Sequence, residues 1–216
     1  MMNSGKWILP SEVMAHNTSQ DCWVSFLDHV WDLTNLVKDH ANDEEYQPII
    51  KAAGTDISHW FNPATKSIRT IIDPETEMEV PHLQAIQNLL HVPKIGAQIG
   101  TVPPEKPWWK DQSQIIGRLS KNPRWIRIVN TLTGLDDQIE VAGEESLWDI
   151  LARFKNINSH AESYTWKFQG RVLTMEKTLE QNGILDESAK FARLNLDYDM
   201  YIPAILIYFN DDLTVA

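Results

Sequence analysis

Apolar and polar positions in the first sixty residues alternate in short bursts rather than in long periodic runs. Val13, Met14 and Ala15 form a brief apolar group after Pro10-Ser11, and the Ser11 hydroxyl can cap a short helix that ends at His16-Asn17. Cys22 to Leu27, CWVSFL, is β-branched and aromatic and reads as a strand, which Asp28-His29 turns into a second strand at Val30-Trp31. Asp32-Leu33-Thr34 turns the chain again. Thr34 can cap the next helix, which carries Leu33, Leu36 and Val37 on one face and ends at His40. Gln47-Pro48 opens another helix, Gly54 stops it, and Asp56 can cap a third that bears His59, Trp60 and Phe61.

From Arg124 the pattern changes. Ile126 to Leu132 alternates like a strand with one buried face, Thr133 to Asp137 is a turn, and Gln138 to Val141 is a second strand. Ser146-Leu147-Trp148-Asp149 is a capping box for a helix with Leu147, Ile150, Leu151 and Phe154 as its apolar stripe. Tyr164 to Phe168 is a third strand, and Gln169-Gly170-Arg171 turns it into Val172-Leu173. Thr178 caps a helical turn that Gly183 ends. Ala204 to Phe209, AILIYF, is a continuous apolar run of the kind buried on both faces.

Between these halves, Asn62 to Asp111 reads as an insert with seven prolines, which suits an extended wrap; Pro81 to His91 has room for a turn or two of helix. The fold class is α+β. The first domain spans 7–120 with its insert at 62–111, the second spans 121–210, and 211–216 is a tail.

Composition narrows the function classes. A net charge of -11 argues against nucleic-acid binding, which needs a clustered positive footprint, and Arg118, Lys121, Arg124 and Arg127 read as a solvated face. There is no apolar run of ~18 residues and hence no expected membrane span. MMNSGKWILP lacks the basic and apolar regions of a signal peptide, so a cytoplasmic setting is expected. The single cysteine, Cys22, is expected to be a buried thiol. Trp108-Trp109, flanked by prolines and charges, reads either as a packed linker or as a partner-binding anchor. In the second case, deletion of Pro103 to Asp111 would leave folding intact and abolish docking. No nucleophile–base pair, phosphate loop or metal-ligand cluster is visible, so no enzymatic activity is expected.

The string SEVMAHNTSQDCWVSFLDHVWDLTNLVKDH, followed by Ala53-Gly54-Thr55-Asp56 and by Ile115-Ile116-Gly117-Arg118-Leu119, resembles the cytochrome b5 domain. The resemblance implies the b5 fold, with haem b as a cofactor and His40 as one axial ligand to the iron. The turn that follows this histidine in the family, Pro-Gly-Gly, is here Ala41-Asn42-Asp43. The family's second histidine falls in register near Ala64 to Lys66, where there is none; His59, His82 and His91 are the candidates for that role. Two readings stand open: a haem site with His40 and one of these, or a b5 fold without iron, its slot filled by Trp60 and Phe61.

KFQGRVLTMEKTLEQNGILDES resembles ubiquitin-like domains and implies a β-grasp fold. A conjugated modifier needs a tail ending Gly-Gly, whereas this chain ends Leu213-Thr214-Val215-Ala216, so an interaction module is expected. The Lys106-Pro107-Trp108-Trp109 element and the ending Tyr208-Phe209-Asn210-Asp211-Asp212-Leu213-Thr214 extend the likeness to a ciliary family that joins a b5-like domain to a grasp domain. That likeness implies a cytoskeletal place at the radial spokes of the axoneme, axonemal partner proteins, and a role in cilium movement. The other reading is a haem protein that carries electrons or senses redox state.

Overall fold

The structure is a computed structural model that describes residues 5–41, 46–72, 79–81, 107–197 and 201–209. The chain splits into two compact units, Met1–Leu119 and Ser120–Ala216.

The first unit is built on a five-stranded sheet. Its framework begins with β1 (Trp7–Ile8), α1 (Pro10–Ala15), β2 (Asn17–Thr18), β3 (Asp21–Phe26) and β4 (His29–Asp32), followed by α2 (Thr34–Asp39) and α3 (Gln47–Lys51). Two small hairpins follow, β5 (Phe61–Asn62) with β6 (Ser67–Ile68) and β7 (Thr70–Ile72) with β8 (Glu79–Pro81); β9 (Ile115–Leu119) then returns to the sheet. The spatial order is β1-β9-β4-β3-β2, with β1 parallel to β9. Gly117 makes that last pairing possible: a Cβ there would lie 2.6 Å from the Lys6 carbonyl oxygen.

Local polar bonds explain where the elements turn. Helix α1 begins two residues earlier than a Ser11 cap would place it, at Pro10 with Leu9 as the N-cap residue, because the Glu12 carboxylate accepts the Leu9 amide at 2.8 Å. Thr34 does not cap α2. Its hydroxyl accepts the Cys22 amide at 3.0 Å, while the Leu33 amide donates to the Cys22 carbonyl at 2.8 Å, so the start of α2 is sewn to β3. Asp56 accepts the Ser58 amide at 2.6 Å and opens a single 3-10 turn, Ser58–Trp60, rather than a full helix. Gly54, at φ +78°, lets the chain pass from α3 to a bridge alongside β3, where the Ile57 amide donates to the Ser25 carbonyl. The start of the insert is not an extended wrap: β5 to β8 fold it back on itself, because Phe61 and Ile68 have core to bury against. The segment expected to hold a helical turn, Pro81 to His91, lies beyond Pro81 outside the described residues.

The second unit has β10 (Pro123–Asn130), β11 (Asp136–Ala142), α4 (Leu147–Phe154), β12 (Tyr164–Phe168), β13 (Arg171–Val172), α5 (Ser188–Arg193) and β14 (Ala204–Phe209). Its sheet runs β11-β10-β14-β12-β13, with the last strand central and parallel to the first. That order, with α4 crossing one face, is the β-grasp. Leu147, Ile150, Leu151 and Phe154 of α4 pack on Ile126, Ile128, Trp166, Ile205 and Ile207. The AILIYF run is buried on one face only: Ile205 and Ile207 are in the core, and Tyr208 is exposed. Its apolar continuity misled because Leu206 and Tyr208 cover the outer face of the sheet rather than a second layer.

One ion pair fixes the entry to α4. Glu145 is buried, and its carboxylate accepts from Arg153 Nε at 2.9 Å and Nη2 at 2.6 Å, and from the Ala142 amide at 3.3 Å. Burial raises the Glu145 pKa above the ordinary glutamate range, although Arg153 and the backbone bond pull it back. The folded chain therefore holds this proton more tightly than the unfolded chain. The group's contribution to stability grows as pH falls from its folded pKa towards the ordinary value, and it is lost as pH rises. Glu145→Ala removes the buried acceptor of both the Arg153 guanidinium and the Ala142 amide and should cost about 3 kcal/mol. The gap to wild type, read from urea midpoints, should widen between pH 7 and pH 5; a gap that narrows would contradict the assignment.

Candidate functional site

The core of the first unit is organised around four aromatic rings. Phe26 at the end of β3 stacks on Trp31 of β4 at 4.6 Å and on Phe61 of β5 at 4.4 Å, with interplanar angles of 15° and 11°. Trp108 stands edge-on to both phenylalanines, at 5.8 Å from Phe26 and 6.3 Å from Phe61. It reaches them from a 3-10 turn, Trp108–Lys110, that Pro107 opens near the end of the insert. Leu33, Val37, Ile49, Ile57 and Trp60 complete the cluster. Of the two readings of Trp108-Trp109, the packed one describes Trp108, which is 8% exposed and belongs to the core of its own unit rather than to a free docking face. Deletion of Pro103 to Asp111 would therefore damage the fold rather than spare it. Trp109 is half-buried beside Trp108 and Phe61.

The histidines are dispersed. His40 is the residue that ends α2; it is half-buried, and its ring lies parallel to Tyr46 at 4.1 Å. His59 sits in the 3-10 turn, exposed, edge-on to Trp60 at 5.9 Å. His82 and His91 lie outside the described residues. The register expected for a second ligand, Ala64 to Lys66, is the exposed loop of the β5–β6 hairpin. His16 stacks on Trp23 at 3.5 Å with Nδ1 2.6 Å from Asp21, a surface arrangement that braces β2 against β3. Among the described residues no group of three or more His, Cys, Asp or Glu could hold a metal ion.

The space around the slot is taken up in a specific way. Phe61 fills part of the interior, as the sequence suggested, and Trp60 is buried beside it. Trp108 joins them in the same cluster, and its position in an aperiodic, charged stretch carried no pattern to announce it. A cavity of about 400 Å³ remains between the β3–β4 hairpin, the β5–β6 loop and the segment leading into β9. Phe26, Trp31 and Trp109 wall it, with His29, Lys66 and Lys110 among its polar residues. His29 is the residue that sequence reading passed over; its only signal was a place at the tip of a hairpin. Cys22, fully buried in β3, has its thiol pKa pushed up to about 11 by burial, with Asp32 and Asp21 adding to the effect, so it is not a nucleophile at neutral pH.

A family model described as the cytochrome b5-like heme/steroid binding domain matches residues 10–97. Cytochrome b5 domain-containing protein 1 of Xenopus laevis is 45% identical over 210 residues, covering 97% of this chain and 96% of that protein. This chain belongs to the cytochrome b5 domain-containing protein 1 family. The Homo sapiens member is also 45% identical over 210 residues, covering 97% of this chain and 92% of its own length. For the second unit, the solved N-terminal ubiquitin-like domain of another protein aligns over 42% of this chain and 77% of its own at 13% identity, with a TM-score of 0.31. The β-grasp assignment stands on the strand order itself.

The b5 family implies haem, and the described residues can be tested against it. At the positions where the family carries its ligands they supply one half-buried imidazole, His40, and an interior already occupied by Phe61 and Trp108. The second imidazole is missing from its expected loop. Among the described residues this arrangement does not fit a bis-histidine haem; His82 and His91 lie outside them. Trp108→Ala should leave a large cavity and cost about 3–5 kcal/mol in urea unfolding, whereas Trp109→Ala should cost about 1 kcal/mol. Equal and small losses would show that Trp108 is not a core residue.

Proposed function

We propose that this protein is a non-enzymatic structural and regulatory component of the axoneme in motile cilia, associated with the radial spokes. The likeness to the ciliary family extends over both units and over the ends of the insert, and the family membership spans 97% of the chain. The observation that carries the docking part is on the grasp unit. Its core is complete, yet Trp125 and Trp148 remain 41% and 50% exposed. Exposed tryptophan is the residue most enriched at interface hot spots. The two side chains are the anchors in this reading, in place of Trp108. Trp148 is oriented by a 3.4 Å bond from its Nε1 to Glu176, which limits the entropy lost on docking.

A second reading keeps haem. It is favoured by the place of His40, half-buried at the end of α2 inside the matched region. His91 or His82 would then be the partner ligand, and Trp108 would have to leave the slot. No electron-transfer step is assigned to it.

Two experiments separate these readings. A tagged chain expressed in cells with motile cilia should stay with the detergent-extracted axoneme, and Trp125→Ala with Trp148→Ala should shift it to the soluble fraction; a wild-type chain found wholly in the detergent extract would sink the axonemal reading. Addition of hemin to purified protein should give no Soret band that His40→Ala abolishes. A sharp low-spin band lost in that variant would establish the second reading.

A further inference from the structure

Strand β11 is the long open edge of the second unit. The outer strands β1, β2 and β13 are two residues long, too short to template another chain, whereas β11 runs for seven. Among the described residues no strand pairs with its far side.

The neighbouring bonds show which of its groups point there. The Arg127 amide donates to the Pro203 carbonyl at 3.0 Å and the Thr131 amide to the Ile207 carbonyl at 3.1 Å, so the odd-numbered residues of β10 turn their backbone groups to β14. The Asn130 amide donates to the Leu135 carbonyl at 2.8 Å, so the even-numbered ones turn theirs to β11. Arg127 and Val129 lie opposite Gln138 and Asp136. The amides and carbonyls of Gln138 and Asp136 therefore point out of the sheet, because a residue opposite a non-hydrogen-bonded partner faces away from it. At the other end of the strand, the outward groups of Ala142 are taken. Its amide donates to Glu145 Oε2 at 3.3 Å, and its carbonyl accepts the Glu145 amide at 3.2 Å. The open part of the edge is the stretch that begins at Asp136 and holds Gln138, both exposed.

Charge selects what can pair there. From Ile128 to Ala152 the chain has no lysine or arginine and carries Asp136, Asp137, Glu140, Glu144, Glu145 and Asp149. Arg127, at 3.4 Å from Asp136, and Arg153, at 2.6 Å from Glu145, offset two of these charges. The surplus sets a negative field along the edge. A second copy of this chain would meet that field with its own: an antiparallel pair centred on Gln138 sets Asp136 opposite Glu140.

We propose that β11 accepts an extended, lysine- or arginine-rich segment of a partner protein as a sixth strand of this sheet. The partner's main chain bonds to Asp136 and Gln138, and its basic side chains run beside the acidic ones of β11. The pairing does not depend on axonemal placement or on haem, so failure of either reading above leaves it standing.

The test uses the purified full chain and a fluorescein-labelled peptide in which lysine alternates with threonine. Saturable binding is expected, weakening as salt is raised. Hydrogen exchange at the Gln138 amide should slow in the complex, where that amide donates across the new pair. The same peptide with every backbone nitrogen methylated keeps its charge but donates no backbone bond, and it should bind about tenfold more weakly or worse. Gln138→Pro removes the outward amide at a position where an edge strand tolerates proline. It should weaken the unmethylated peptide by about tenfold with the circular dichroism spectrum retained, whereas Gln138→Ala, which keeps the amide, should bind like the wild type. Absence of saturable binding, equal affinity for the methylated peptide, or unchanged exchange at Gln138 would overturn the proposal. A dimer of the free chain that protects Gln138 would assign the edge to a second copy and overturn it as well.

Discussion

The packing of Trp108 against Phe26 and Phe61 is the contact on which the first unit depends. An apolar interior between helices and sheet cannot stay empty without a large cost in lost contacts and cavity surface. This chain fills it from within. Phe26 and Phe61 come from the parts of the chain that the b5 pattern governs, and Trp108 comes from the far end of the insert. The remaining cavity, the exposed hairpin loop at Lys66 and the stacking of His40 on Tyr46 all lie around that aromatic group.

The second unit solves the same problem by ordinary means. Its helix stripe, Leu147, Ile150, Leu151 and Phe154, meets alternating strand residues, and every member is buried. What distinguishes it is polar. Glu145 and Arg153 hold the loop before α4 at a cost in desolvation, and Arg124 is buried with its two Nη atoms donating to the carbonyls of Ile184 and Leu185 at 3.0 Å. Such groups contribute specificity of arrangement more than net stability. Two tryptophans that this core does not need, Trp125 and Trp148, are left at the surface.

Much of this was legible in the sequence, and the reasons are particular. The strands from Cys22 to Trp31 and the stripe of α4 declare themselves because one buried face imposes a period. The capping box at Ser146 is met in full, with the Asp149 amide donating to Ser146 Oγ at 3.3 Å and the Ser146 amide to Asp149 Oδ2 at 3.1 Å. Thr34 was read as a cap because a local rule was available, and tertiary demand reassigned it: its hydroxyl had a distant strand amide to satisfy. Asp56 does accept the Ser58 amide, but it opens a single 3-10 turn where a helix was expected. Trp108 carried no period at all, since a single side chain inserted from a loop leaves no pattern. The AILIYF run misled for the opposite reason: apolar residues at the open face of a sheet look in sequence like a second buried face. The site suffered most. His29 and Lys66 are brought together by turns more than thirty residues apart, and no spacing rule could have joined them.

The position of β14 has a consequence for how the protein is made. It is the last strand of the second unit and lies between β10 and β12, parallel to the first strand. Until it arrives, β10–β11 and β12–β13 are two separate hairpins with no shared sheet, so the unit cannot close while its final residues are still in the ribosome. The first unit is complete at Leu119, once Trp108 and β9 have emerged. Synthesis at about 5–20 residues per second therefore gives the b5 unit several seconds as a finished body before the grasp unit can form, and in that interval two apolar hairpins trail behind it as the segment most in need of protection.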